Sequence, residues 1–135
     1  MERCKYLLDS DICIHLLRGR KEVYEHLSQV EWKNCCISEI TVIELLYGAE
    51  CSKAADENRK EVLSFCADLE VIPISNCIID FVRLKASLRK AGILIDDFDL
   101  LIGSTAIANS LILVTENEKH LARIPEIKLE NWVKR

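Results

Sequence analysis

Five short apolar runs, separated by longer amphipathic stretches, set the tightest limit on how this chain can fold. The runs are residues 6–8, 35–37, 71–74, 111–114 and 127–129. Each has strand length, and most are rich in Leu, Ile, Val or Cys. Between them the apolar residues recur at helical spacing. Ser10 or Asp11 is placed to cap a helix through Ile12, Ile14, Leu16 and Leu17, stopped near Gly19. Ser38 caps a second helix carrying Ile40, Ile43, Glu44 and Tyr47, and residues 53–68 form a charged amphipathic third. Ser75 or Asn76 opens a helix that Gly92 ends, Asp96 or Asp97 opens another to about Ser110, and residues 117–122 form a short last one. Strands that alternate with helices predict an α/β fold with a mainly parallel sheet.

The 135 residues are read as one domain, 1–135, large enough to bury a core without covalent staples. The formal charge of -4 gives no general attraction to nucleic acid. RNA contact would need local basic patches or a cation that reverses the sign of an acidic cleft. The first eight residues hold too short an apolar stretch for a signal peptide, and no run approaches a membrane span. A cytoplasmic protein with no membrane contact is expected. The seven cysteines are odd in number and include no C-x-x-C pair, so they are read as buried free thiols and not as a zinc or disulfide framework. Cys35 and Cys36 are adjacent on a strand and point to opposite faces.

Three acids in apolar settings carry the chemistry. Asp9 ends a hydrophobic strand, where ligands bind in open parallel sheets, although Asp is also a common helix cap. Glu44 lies in a helix that is apolar nearly all round, which predicts burial. A buried carboxylate needs a Lys or Arg partner, or a metal. Asp99 follows Asp96 and Asp97 in a first helical turn. The helix dipole favours one such acid, whereas three within four residues repel each other. After the fourth strand, Thr115, Glu116 and Asn117 offer further oxygen donors. These donors contain no His or Cys, which suits Mg2+ or Mn2+ over Zn2+. A carboxylate-held divalent ion beside a phosphodiester makes phosphate-ester hydrolysis the natural reaction class.

The segments Tyr6-Leu7-Leu8-Asp9-Ser10-Asp11, Glu44-Leu45-Leu46-Tyr47-Gly48-Ala49, Phe98-Asp99-Leu100-Leu101-Ile102, Leu113-Val114-Thr115 and Leu129-Glu130-Asn131-Trp132 resemble a PIN-domain toxin of the VapC type, in the right order and over almost the whole chain. The resemblance implies a three-layer α/β/α PIN-like fold with a mainly parallel sheet of four to five short strands. It implies an Mg2+- or Mn2+-dependent endoribonuclease, the toxin of a type II pair, with a VapB-type antitoxin and a homodimer or higher toxin–antitoxin assembly. Asp9, Glu44 and Asp99 match the family's catalytic, metal-binding triad. Asn117 falls in the slot of a fourth ligand, direct or through water. Asp11, Asp97, Thr115 and Glu116 are candidate auxiliaries. The chain departs from the family at Ser10-Asp11, at Glu116, which is placed to compensate for a neutral Asn117, and at His120-Leu121.

Arg18, Arg20, Lys85, Arg89 and Lys119 are candidate RNA contacts, or plain solvated surface. His15, His26 and His120 are not required as bases if a metal activates the water, and Trp132 is read as a core plug. Two alternatives remain at this level. Asp9-Ser10-Asp11 also resembles the start of a haloacid-dehalogenase-like phosphatase with Asp9 as nucleophile. The third reading is a PIN-like module that binds a partner without catalysis.

Overall fold

The structure, a computed structural model, describes residues 4–133; the first three residues of the stretch judged too short for a signal peptide lie outside them. Five strands form one sheet: β1 (Tyr6–Leu8), β2 (Cys35–Ser38), β3 (Glu70–Ile72), β4 (Ile112–Val114) and β5 (Leu129–Glu130). Their order is β3-β2-β1-β4-β5 and every pairing is parallel. Parallel neighbours need crossovers, and the helical stretches supply them. The first three strands step one way from β1, and the last two build on its other edge. The order therefore reverses between β1 and β4, the crevice where open parallel sheets bind ligands.

The helices are α1 (Ser10–Leu17), α2 (Lys21–Val30), α3 (Glu39–Glu50), α4 (Ala55–Ala67), α5 (Ile78–Lys90), α6 (Asp97–Ala108) and α7 (Glu118–Leu121). Strand alternation sorts the core into two layers. Leu8, Cys35, Ile37 and Val114 face Ile12, Val23, Leu27, Leu45 and Val62 of α1 to α4. Leu7, Cys36 and Leu113 face Leu88, Leu100, Ile102 and Leu121 of α5 to α7. Cys35 and Cys36 thus do point to opposite faces. Trp132 plugs the first layer, with His26 stacked on it at 4.5 Å and Tyr6 edge-on at 5.6 Å.

Four local expectations need correction. Residues 21–30 fold as α2, a helix that the strand-centred reading of the chain passed over; its narrow apolar stripe is Val23, Leu27 and Val30. The residue that caps α1 is Asp9, whose side chain accepts from the Ser10 N–H, and not Ser10 or Asp11. Neither Ser75 nor Asn76 caps α5, because a 3-10 turn over Ile74–Cys77 delays its start. Helix α3 is not buried all round. Tyr47 is 71% exposed, Ile43 is also exposed and Glu44 is half-buried, because that flank of the helix packs against no layer. Cys51 is the exposed exception to the buried free thiols. No helix among the described residues is long and apolar enough to cross a membrane.

Candidate active site

Strand geometry delivers the first carboxylate. β1 ends at Leu8, and the Asp9 N–H donates to the Val114 carbonyl at 2.9 Å, which fixes Asp9 at the β1–β4 crevice. Asp9 is only 7% exposed. Its Oδ1 accepts from the Ser10 N–H at 2.8 Å, and its Oδ2 from the Thr115 hydroxyl at 2.8 Å. Burial and the neighbouring Asp11 push its pKa up to about 7, against the pull of those two donors; Asp99 adds to the rise. The same side chain therefore caps a helix and stands as an uncompensated acid in the crevice.

Glu44 and Asp99 come to the same crevice from α3 and α6. The Ser10 hydroxyl donates to Glu44 Oε1 at 2.6 Å. Burial raises the Glu44 pKa, and Asp99, Asp96 and Asp11 raise it further, while Ser10 lowers it. Asp99 is raised by burial and by Asp96, and lowered by His120, whose Nε2 lies 3.6 Å from its Oδ2. Among the described residues no Lys or Arg pairs with Asp9, Glu44 or Asp99. The three do not bring their oxygens within 4.8 Å of one another. The cluster is thus mutually repulsive and open. Such an arrangement fits a hard cation that keeps several of its own waters.

The pattern of the PIN domain matches residues 6–127. The chain belongs to the PIN-domain family. It is similar to Ribonuclease VapC2 of Rickettsia felis, with 37% identity over 96% of this chain and 98% of that protein. It is also similar to the tRNA(fMet)-specific endonuclease VapC of Salmonella typhimurium, with 33% identity over 95% and 98% of the two chains. Among solved structures it superposes on a chain of the DNA-bound VapBC of Salmonella typhimurium with a TM-score of 0.90 and 32% identity, covering 96% of this chain and 99% of that one. VapBC2 of Rickettsia felis, bound to a fragment of its promoter, gives 0.87 and 36%, covering 95% and 98%. The PIN fold is therefore the three-layer α/β/α arrangement expected from the sequence, and the chain is a VapC-type PIN ribonuclease. PIN nucleases are metal-dependent in general. The haloacid-dehalogenase-like reading of Asp9-Ser10-Asp11 falls with this match.

The remaining candidates of this PIN domain divide. Thr115 is buried against Asp9. Asp11 is turned to the β4 end: its Oδ2 accepts from the Glu116 N–H at 3.0 Å and the Thr115 hydroxyl at 3.3 Å. Burial raises its pKa. Asn117 is exposed beside them; its N–H donates to Thr115 Oγ1 at 3.0 Å. Two auxiliaries are engaged by other partners. Asp97 points away and pairs with Lys85 at 2.8 Å, because first-turn side chains radiate to different sides of α6. Glu116 pairs with His15 of α1, and its charge also acts on Asp11. Of the basic candidates, Lys85 is engaged by Asp97 and Arg20 by Glu22 at 2.6 Å. Arg18 is exposed and borders an open groove of about 280 Å³ beside Glu44. Arg89 and Lys119 are exposed on α5 and α7.

Sequence reasoning missed Ser10 as a holder of Glu44 and the His120 ring beside Asp99. The signal for Ser10 was its place between two acids. His120 gave only a departure from the family's usual acid.

Proposed function

We propose that this chain is an Mg2+- or Mn2+-dependent endoribonuclease, the toxin of a VapBC-type pair, in which Asp9, Glu44 and Asp99 hold the cation. The observation that carries this reading is the set of three carboxylates at the β1–β4 crevice, each with a raised pKa and none with a Lys or Arg partner. Oxygen donors of this kind suit hard divalent ions. When bound there, such an ion lowers the pKa of the attacking water and neutralises charge on the phosphodiester.

The chain's own residues do the rest. Thr115 and the Ser10 N–H hold the two oxygens of Asp9, and the Ser10 hydroxyl fixes Glu44. Asp11 ties the start of α1 to the end of β4, which keeps Asp9 and Asn117 on one rim. Asn117 adds a neutral oxygen, directly or through water. Exposed Arg18, Arg89 and Lys119 contact RNA phosphates around the crevice.

The partner is a VapB-type antitoxin. The groove beside Glu44, lined by Ile14, Leu17, Leu45, Ala49 and Val62, offers an apolar trough with an acidic end. A segment with apolar side chains and an Arg fits it. Exposed Ile78, Ile79 and Val82 on α5 suit self-association into a homodimer or a larger toxin–antitoxin assembly. A reducing cytoplasm suits the buried thiols.

The test is incubation of the purified chain with RNA and Mn2+, with and without EDTA, beside Asp9→Asn and Asp99→Asn. Initiator tRNA is the first substrate to try, given the names of the relatives. Cleavage that needs the ion and is lost in both variants is expected. Intact RNA with tight antitoxin binding would instead favour a binding module without catalysis. Cleavage undiminished by the antitoxin would remove the proposed mode of control.

A further inference from the structure

A second cluster of donors lies at the other end of the sheet and has a different chemistry. Cys4 precedes β1, Cys36 lies in β2, and Glu70 opens β3. Cys36 and Glu70 are register partners on adjacent parallel strands, so their side chains leave the same face. Cys4 and Cys36 belong to the same buried layer. One donor atom from each of the three lies within 4.8 Å of the others. The Cys4 thiol donates to Glu70 Oε2 at 3.2 Å, and Glu70 itself is exposed, which leaves a path to solvent.

We infer that Cys4, Cys36 and Glu70 form a three-ligand Zn2+ site that ties the entry of β1 to β2 and β3 and leaves its fourth position to water. The cysteines looked like inert core thiols in sequence because the neighbours Cys35 and Cys36 diverge. The fold instead pairs Cys36 with residues 32 and 34 positions away. Two sulfurs and one carboxylate oxygen are a borderline-soft set that selects Zn2+ over Mg2+ or Mn2+. Tetrahedral Zn2+ with sulfurs at about 2.3 Å holds them about 3.8 Å apart, so the cluster has to contract by an ångström or less. Water on the exposed side of Glu70 completes the fourth position. Without the ion, the Cys36 thiol donates to the Tyr6 carbonyl at 3.4 Å and the Cys4 thiol donates to Glu70, so each sulfur carries a proton. Binding one Zn2+ thus releases two protons to solvent, one from each thiol, and leaves both sulfurs as thiolates.

Cobalt tests this directly. The reduced, chelator-treated full chain is titrated with Co2+ in excess Mg2+, which occupies oxygen-only sites. One equivalent of Co2+ is expected to produce the near-ultraviolet thiolate-to-cobalt charge-transfer band, and Zn2+ to abolish it. Cys4→Ser should weaken binding at least ~100-fold, and Glu70→Gln, at an exposed position that leaves folding intact, about 10-fold or more. Zn2+ should raise the Tm of the parent chain and not of Cys4→Ser. Absence of the band in the parent chain overturns the proposal. So does a band that survives unchanged in both variants, which would move the thiolate to another cysteine such as exposed Cys51.

Discussion

The Thr115 hydroxyl donates to Asp9 Oδ2 at 2.8 Å, which joins the ends of two adjacent parallel strands across 106 residues of sequence. It is one of two donors that pull the Asp9 pKa down against burial and against Asp11. In Thr115→Val that donor is gone and the pKa of Asp9 rises above its present value of about 7. Loading of the cation onto an ionised Asp9 then needs a higher pH. At limiting Mn2+ the acid limb of the pH–rate profile is expected to move upward, with a loss of about 1–3 kcal/mol in stability. Superposable profiles for the variant and the parent chain would mean that the hydroxyl does not act on Asp9.

Stability of the metal-free chain should depend on pH in a defined direction. Unfolded, Asp9 ionises near pH ~4. Folded, it keeps its proton until about pH 7. Between those values the folded state binds more protons than the unfolded one, so stability falls as pH rises through that window. The penalty is absent below the unfolded value and complete above the folded one. Asp11, Glu44 and Asp99, raised mainly by burial, add to it with the same sign. The combined effect is on the order of a few kcal/mol. Calorimetry in chelator is expected to give a Tm several degrees lower at about pH 8 than at about pH 5.5, with Mn2+ restoring more at the higher pH. An unchanged or rising Tm over that range would contradict the raised acid.

Ser10 holds Glu44 through its hydroxyl and Asp9 through its backbone, and the two functions separate on mutation. Ser10→Ala keeps the N–H and removes the 2.6 Å bond to Glu44 together with the longer 3.4 Å contact to Thr41 Oγ1. A hydrogen bond to a charged group contributes about 1.5–3 kcal/mol. If most of that orients Glu44 for the ion, kcat/KM falls roughly 10- to 100-fold and the Mn2+ concentration for half-activity rises. Ser10→Thr should retain most of the activity. Equal kinetics for Ser10→Ala and the parent chain would show that Glu44 is positioned by its helix alone.

The architecture was legible because its signals are strong and local. Five apolar runs are short enough to be strands, and the caps at Ser38 and Asp96 and the stop at Gly92 are standard helix chemistry. The acids stood out because burying a lone carboxylate is costly. What escaped was tertiary. The exposure of the Glu44 flank depends on which side of α3 packs, and its all-round apolar sequence holds no such information. The pairing of Asp97 with Lys85 and of Glu116 with His15 depends on how α5, α6 and α1 lie beside one another. Helix α2 was missed because its stripe of Val23, Leu27 and Val30 is narrow and set among charged and polar residues. The Cys4–Cys36–Glu70 cluster required strand register across three segments, which spacing along the chain cannot supply.

Two acids two positions apart should have opposite fates, and this separates a cation site from a general acidic patch. Asp97 is exposed and paired with Lys85 across α5 and α6. An exposed ion pair contributes about 0–1 kcal/mol, and its loss frees Lys85 without touching the crevice. Asp97→Asn is therefore expected to leave RNA cleavage within about 2-fold and stability within ~1 kcal/mol. Asp99 instead shares its field with Glu44 and Asp9, and the His120 ring lies 3.6 Å from it. Neutralising it removes a hard donor from the cation. Asp99→Asn is expected to lower cleavage by at least ~100-fold while stabilising the metal-free fold slightly, because one buried repulsion is relieved. The measurement is paired: initial rates in Mn2+ and chelator-treated urea melts on both variants. If the two variants lose activity equally, the acids act as a diffuse field around the helix start, and the assignment of Asp99 to the cation does not stand.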